Sequence, residues 1–262
     1  MKRSILVALV TVALAAPAFA DVTMKSTGSG KAMGAGGPMT LTTYIKGNKM
    51  RTDSMSGDTT RSMIFDVDAQ RLYSFDSKKK EADAWDMQAF GAGMQASVDT
   101  ASMKSSLKPN GQTKKLAGKA ANGYDMELSV PATMGGKDGM KMTVILTGPI
   151  WIVKGAPGTA EYLNFYKGAV EKGWIFSDPR GAKGNPGQAK AMAEMYRQLA
   201  ATGGIPYEQE TNIKMSGEGP MAGIFAKMGN ISMTQSVQSV ETGTLAADLF
   251  APPAGYKIKE QK

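Results

Sequence analysis

Hydrophobic and polar positions alternate along most of this chain in short runs separated by glycine-rich stretches, the signature of strands joined by tight turns. Met39 to Tyr44, the tetrad Lys46-Gly47-Asn48-Lys49 and the run from Met50 onward predict a hairpin, because Gly and Asn tolerate the positive φ of a tight turn. Met63, Phe65 and Val67 then alternate with Ser62, Ile64 and Asp66. After a turn at Asp68-Ala69-Gln70, Arg71 to Asp76 sets Tyr73 and Phe75 on one face, and Trp85 and Met87 close a third strand. The expectation is a sheet with one aromatic and methionine face made of Met63, Phe65, Tyr73, Phe75, Trp85 and Met87, which something must cover.

From Ala89 to Lys108 the pattern weakens. Gly91 and Gly93 oppose a helix that Val98, Met103 and Leu107 suggest, so a loosely packed helix or mobile flap is expected. Strands resume at Lys114, with Tyr124–Leu128, Lys141–Leu146 and Ile150–Val153, and Pro149 marks an edge or a bend. Two helices follow. Thr159 can cap one in which Tyr162, Phe165, Tyr166, Ala169 and Val170 recur at three- and four-residue steps, ending near Gly173. Asn185 and Pro186 start another that carries Ala189, Met192, Met195, Tyr196 and Leu199 and stops at Gly203-Gly204. The intervening Asp178–Gly187 reads as an exposed loop. Glu208–Met215 and Ile231–Val240 alternate as strands, with a turn or short helix at Ala226–Asn230. Strands early, two amphipathic helices late and strands at the end make an α+β arrangement with helices covering one sheet.

The start of the chain has another logic. Lys2 and Arg3, the short apolar run Ile5–Ala15 and Ala18-Phe19-Ala20 before Asp21 have the form of an export signal, so residues 1–20 are expected to be removed and 21–262 to fold as a single exported domain, periplasmic or secreted. Asp21 rather than Cys follows the cut, which argues against a lipid anchor. No segment approaches the about 20 apolar residues of a membrane helix. The formal charge of +8 falls to +6 once Lys2 and Arg3 are gone, and those charges are scattered. Lys78-Lys79-Lys80 is the longest basic run; a solvated turn is its ordinary reading, and a transient contact with a membrane surface its sharper one. Basic and aromatic residues do not interleave, which sets nucleic acid aside as a partner.

The chain has no cysteine and no histidine. Disulfides, thiolate nucleophiles, Ser-His-Asp triads, imidazole bases and ordinary zinc sites go with them, so no cofactor and no catalytic activity are expected. Asp66-x-Asp68 has Arg71 where a calcium loop needs glycine and reads as a turn. The carboxylates Asp83 with Asp86, and Asp138 with Glu127, have the spacing of surface acids. Methionine is abundant, with 20 residues. Thioethers fill irregular core gaps, line adaptable apolar pockets, or bind Cu(I), and all three readings stand; Met140 with Met142 and Met192 with Met195 are the closest pairs.

The ending Asp248–Lys257, Trp151-Ile152-Val153, the helix around Tyr162-Leu163-Asn164-Phe165-Tyr166, Gly203-Gly204-Ile205-Pro206 and Tyr44-x-Lys46-Gly47-x-Lys49-x-Arg51 together resemble an exported bacterial family, of unassigned function, that is similar to the LolA and LolB lipoprotein carriers. The resemblance implies a strongly curved, open antiparallel sheet of about eleven strands, a half-barrel with helices covering its concave face. Carriers of that type hold acyl chains in the resulting cavity. For this chain the implied role is non-catalytic binding or carriage of a lipid or other apolar molecule. Candidate walls are Met63, Phe65, Tyr73, Phe75, Trp85 and Met87 on the strands, with Tyr162, Phe165, Tyr166, Met192 and Met195 on the helices. The alternatives are that these side chains are core, making the protein a structural or interaction module, or that the methionines handle copper.

Overall fold

A computed structural model describes residues 20–30, 37–90, 103–134, 140–174, 186–217 and 231–261, with the isolated positions 179 and 223. The expected export signal, most of the Ala89–Lys108 flap, most of the Asp178–Gly187 loop and the Ala226–Asn230 turn lie outside the described residues.

The chain is mostly β, with few helices. Its strands are β1 Asp21–Gly30, β2 Met39–Lys46, β3 Lys49–Ser56, β4 Thr59–Asp66, β5 Arg71–Asp76, β6 Glu81–Asp86, β7 Lys104–Leu116, β8 Lys119–Met134, β9 Met140–Lys154, β10 Gly204–Gly217, β11 Ile231–Gly243 and β12 Lys257–Gln261. All join one 12-stranded sheet in the order β12-β6-β5-β4-β3-β2-β1-β11-β10-β9-β8-β7. Every neighbouring pair is antiparallel except β12, which lies parallel to β6. Helix α1 spans Thr159–Glu171 and α2 spans Pro186–Ala201.

The sheet is open at β12 and β7 and is not strongly curled. This corrects the curved half-barrel that the resemblance implied. Helix α1 lies by β1, β2 and β10 and α2 by β7, β8 and β10, so between them they cover part of the sheet's apolar face.

Local differences have physical causes as well. Lys104–Lys108, expected within the flap, is the first part of β7. Ile150–Val153 is continuous with the preceding strand, and β9 is interior, with β8 and β10 on either side. Pro149 sits inside it because Gly148 lets the neighbouring backbone come close: a Cβ on Gly148, whose φ is 152°, would stand 2.0 Å from the carbonyl oxygen of Glu210. Helix α1 is capped at Gly158 (φ 72°) without a side-chain cap, and the Thr159 hydroxyl donates instead to the Ala156 carbonyl at 2.7 Å. Any side chain at Gly158 would meet Val22 at 2.4 Å. Met87 belongs to a helical turn at 87–90 rather than to the third strand.

The core begins as a row of direct cross-strand partners. Val22, Ile45, Met50, Phe65, Leu72 and Trp85 stand opposite one another from β1 to β6, and all are buried. The row faces α1, and we call this the helical face. On the reverse, outer face of the same half, Ile64, Phe75 and Ala82 are buried beneath the C-terminal segment, with Phe250 among them and Tyr44, Tyr73, Leu249 and Tyr256 packed around. Tyr256 meets Phe75 edge-on at 5.6 Å.

Candidate functional site

Helix α1 ends because Gly173 adopts a φ of 71°, allowing Gly173 N–H to reach the Val170 carbonyl at 2.9 Å and Trp174 N–H the Ala169 carbonyl at 2.9 Å. This turn drives the Trp174 ring into the core, 5.9 Å from that of Phe65. At the other end of the helix the buried carboxylate of Glu161 accepts from Gly47 N–H at 2.5 Å, tying α1 to the β2–β3 turn. Lys172 donates to the Val67 carbonyl at 3.2 Å and to Asp68 at 3.2 Å, tying it to the β4–β5 turn. Helix α2 is held at β7 by Gln198, which donates to the Ser105 carbonyl at 3.2 Å.

Between the helices lies a tyrosine stack. Tyr166 and Tyr196 are nearly parallel at 5.1 Å, Tyr162 tilts against Tyr166 at 4.6 Å, and the Tyr166 hydroxyl donates to the Met50 sulfur at 3.7 Å. Burial pushes all three phenols above their ordinary value, because a phenolate there would lose its water.

The predicted wall residues divide into three groups. Phe65, Trp85, Met87, Tyr162, Phe165 and Tyr166 meet in one buried cluster, with Met63 packed against it. Met192 and Met195 join a second cluster under α2, with Met126, Leu128, Val130, Ile150 and Ile152. Tyr73 and Phe75 are not part of either: they lie on the outer face, because the β4–β5 register sets Leu72 opposite Phe65 and Tyr73 opposite Ile64. In Arg71–Asp76 both faces are buried, so alternation alone could not choose between Leu72 and Tyr73 as the side towards the helices.

Asp66 is occupied as the turn reading requires, accepting from Ala69 N–H at 3.0 Å and pairing with Lys49 at 2.6 Å. Among the described residues no group of three acidic side chains could hold a metal, and no helix is long and apolar enough to cross a membrane.

Apolar surface that the helices do not bury remains on the same helical face, further along the strands. Leu146, Ile213 and Ile231 stand opposite one another across β9, β10 and β11. Val144 and Met215 form the next row, and Met39 and Leu41 continue the surface on β2. All of these are half-buried, and Met233 on β11 is 43% exposed. Gly28 and Gly30 of β1 lie between the two flanking methionines, so that Met39 and Met233 side chains lean over bare backbone. The outer face of β1 and β10 is polar, presenting Thr23, Lys25, Thr27 and Ser29 on β1 and Glu208, Glu210, Asn212 and Lys214 on β10. A sheet apolar on one side and polar on the other needs a cover on the apolar side. Sequence reasoning missed this strip, although alternation at Met39-x-Leu41 and Ile231-x-Met233 signals it.

No protein-family model matches the chain, and no curated protein matches it. Among solved structures, the chain is similar to PNGF-II, with 11% identity and a TM-score of 0.39, over 92% of this chain; it spans 31% of the length of that protein. It is also similar to a LolA superfamily protein from Nitrosomonas europaea, with 6% identity and a TM-score of 0.29 over 89% of this chain and 91% of that one. A domain from Vibrio parahaemolyticus described as an outer membrane lipoprotein-sorting protein domain matches with 10% identity and a TM-score of 0.30, over 89% and 90% of the two chains. The chain thus has structural similarity to LolA superfamily proteins at low sequence identity.

Proposed function

We propose that this protein is an exported, non-catalytic binding or carrier protein for an apolar molecule, a lipid or an acyl chain, with residues 1–20 as its export signal and 21–262 as one domain. The observation that carries the reading is the half-exposed apolar strip from β2 to β9, continuous with the core and backed by a polar outer face. Thioether and branched side chains there, Met39, Leu41, Ile213, Met215, Ile231 and Met233, can adapt to an acyl chain of no fixed shape. Their burial by a guest would return about 25 cal/mol per Å² of apolar area removed from water.

A second reading, an interaction module with a filled core, is favoured by the tight burial of Phe165, Tyr162 and Trp85. It places a partner protein, rather than a lipid, on the strip. The distinguishing experiment is uptake of N-phenyl-1-naphthylamine, a neutral apolar fluorophore, by the purified protein, together with native mass spectrometry. The carrier reading expects saturable uptake and co-purified lipid. Absence of both would discard it in favour of the module.

A further inference from the structure

We propose that the end of the sheet carrying the β5–β6 turn docks on a lipid bilayer that bears anionic headgroups. This stands apart from the carrier reading above, since it needs no guest on the strip.

Lys78, Lys79 and Lys80 follow β5 and are all exposed. The C-terminal strand brings further cations to the same place: Lys257 N–H donates to the Lys80 carbonyl at 2.9 Å, setting β12 beside the turn, and Lys257 and Lys259 stand opposite Glu81 and Asp83. Arg61 on β4, also exposed, stands opposite Asp76. The nearby carboxylates are already engaged. Asp76 shapes the turn, accepting from Lys78 N–H at 3.0 Å and Lys79 N–H at 2.9 Å and pairing with Lys79 at 3.7 Å. Glu81 pairs with Lys259 at 2.5 Å, and that hydrogen bond, with Lys257 and Lys79 close by, holds its carboxyl below the usual carboxylate range. Asp83 accepts from Gln261 at 2.8 Å. Among the described residues, Lys78, Lys80 and Lys257 have no ion pair. The opposite end of the same strands is neutralised instead, with Lys46 on Asp21 at 2.8 Å, Lys49 on Asp66 at 2.6 Å and Lys172 on Asp68 at 3.2 Å. The positive excess therefore belongs to one end.

That end is also where two of the most exposed apolar side chains stand. Met55 is 48% exposed and Ile258 42%. Met55 lies opposite Thr60, which exchanges hydrogen bonds with Ser77, the residue before Lys78, and Ile258 lies between Lys257 and Lys259. Ammonium groups beside exposed apolar side chains fit a bilayer surface, where lysines meet headgroup phosphates while Met55 and Ile258 enter the interface. A nucleic acid or an acidic protein would answer the charge but leave both apolar side chains in water. The apolar strip reaches the same end, because Met39 adjoins Thr40, the cross-strand partner of Met55.

The test is co-sedimentation of the purified protein with vesicles of phosphatidylcholine alone or mixed equally with phosphatidylglycerol. Retention on the mixed vesicles is expected to exceed that on the neutral ones by about tenfold or more at low salt and to fall as salt screens the charges. Lys78→Gln, Lys80→Gln and Lys257→Gln together should lower it about a hundredfold. Lys104→Gln, Lys108→Gln and Lys115→Gln remove the same charge from exposed positions on β7, at the other edge of the sheet, and should lower it by no more than about threefold, since charges beyond a Debye length contribute little. Met55→Ser with Ile258→Ser should lower it about tenfold. Equal retention on both kinds of vesicle, equal losses from the two lysine triples, or no loss from the Met55 and Ile258 pair would each overturn the proposal. Uptake of N-phenyl-1-naphthylamine should be unchanged by the lysine substitutions, so that docking and carriage can fail separately.

Discussion

The helical face of this sheet has two regions built from similar residues with opposite outcomes. Under α1, methionine and aromatic side chains are locked: Phe165 is fully buried, Met50 serves as acceptor for the Tyr166 hydroxyl, and Trp174 fills the space by Phe65. Further along the same face, Met39 and Leu41 on β2, Ile231 on β11, Ile213 and Met215 on β10 and Val144 on β9 stay half-buried, and Met233 on β11 is exposed. Composition does not separate them. What does is whether a helix is held over that part of the strand, by contacts such as Glu161 on the β2–β3 turn, Lys172 on the β4–β5 turn, Tyr166 on Met50 and Gln198 on β7. The comparison teaches that an apolar face becomes core only where something is held against it, and is otherwise a surface for a guest.

The largest effect that would break this contrast is cavity creation under α1. Phe165→Ala is expected to destabilise the protein by about 3–5 kcal/mol, read from urea unfolding followed by circular dichroism. A loss below about 1 kcal/mol would mean that the helix is not locked at all.

A middling effect comes from pH. Burial holds Tyr162, Tyr166 and Tyr196 above the ordinary phenol value of 10.0. Below pH 10 the folded and unfolded chains both keep these groups neutral. Above it the unfolded chain ionises first, so the contribution of neutral burial is lost as pH rises, by about 1.4 kcal/mol per unit for each phenol until its folded value is reached. Tyr196→Phe should make the fall in stability between pH 10 and 12 shallower. An unchanged slope would place Tyr196 in water.

The smallest stability effect belongs to the strip. Met233→Ser is expected to change unfolding free energy by no more than about 0.5 kcal/mol, as for exposed positions generally, while weakening uptake of the naphthylamine probe. A large stability loss there would show that Met233 is core, and would erase the distinction between the regions.

Much of the architecture was legible as pattern. The Lys46–Lys49 turn, the strands around Phe65 and Leu72, the helix around Phe165 and the helix around Met195 are where alternation and three- to four-residue spacing put them. The candidate wall was legible in part. Tyr162, Phe165 and Tyr166 do meet Phe65 and Trp85, but Tyr73 and Phe75 turn the other way, and Met87 leaves the strand for a helical turn. The strip at Met39, Leu41 and Met233 was in the pattern but unmarked, since a half-exposed strand and a buried one alternate alike.

By itself the sequence determined which short-range structures form, because the period of apolar residues and the φ tolerance of glycine act over a few neighbours. It also removed thiol and imidazole chemistry, which needs residues this chain lacks. Only the tertiary structure decided that β1 pairs with β11 some 200 residues on, that β12 returns to lie parallel to β6, that the sheet stays open, and which apolar side chains a helix covers. Those outcomes depend on register and on contacts between distant segments, and a two-residue period is the same whichever strand stands opposite.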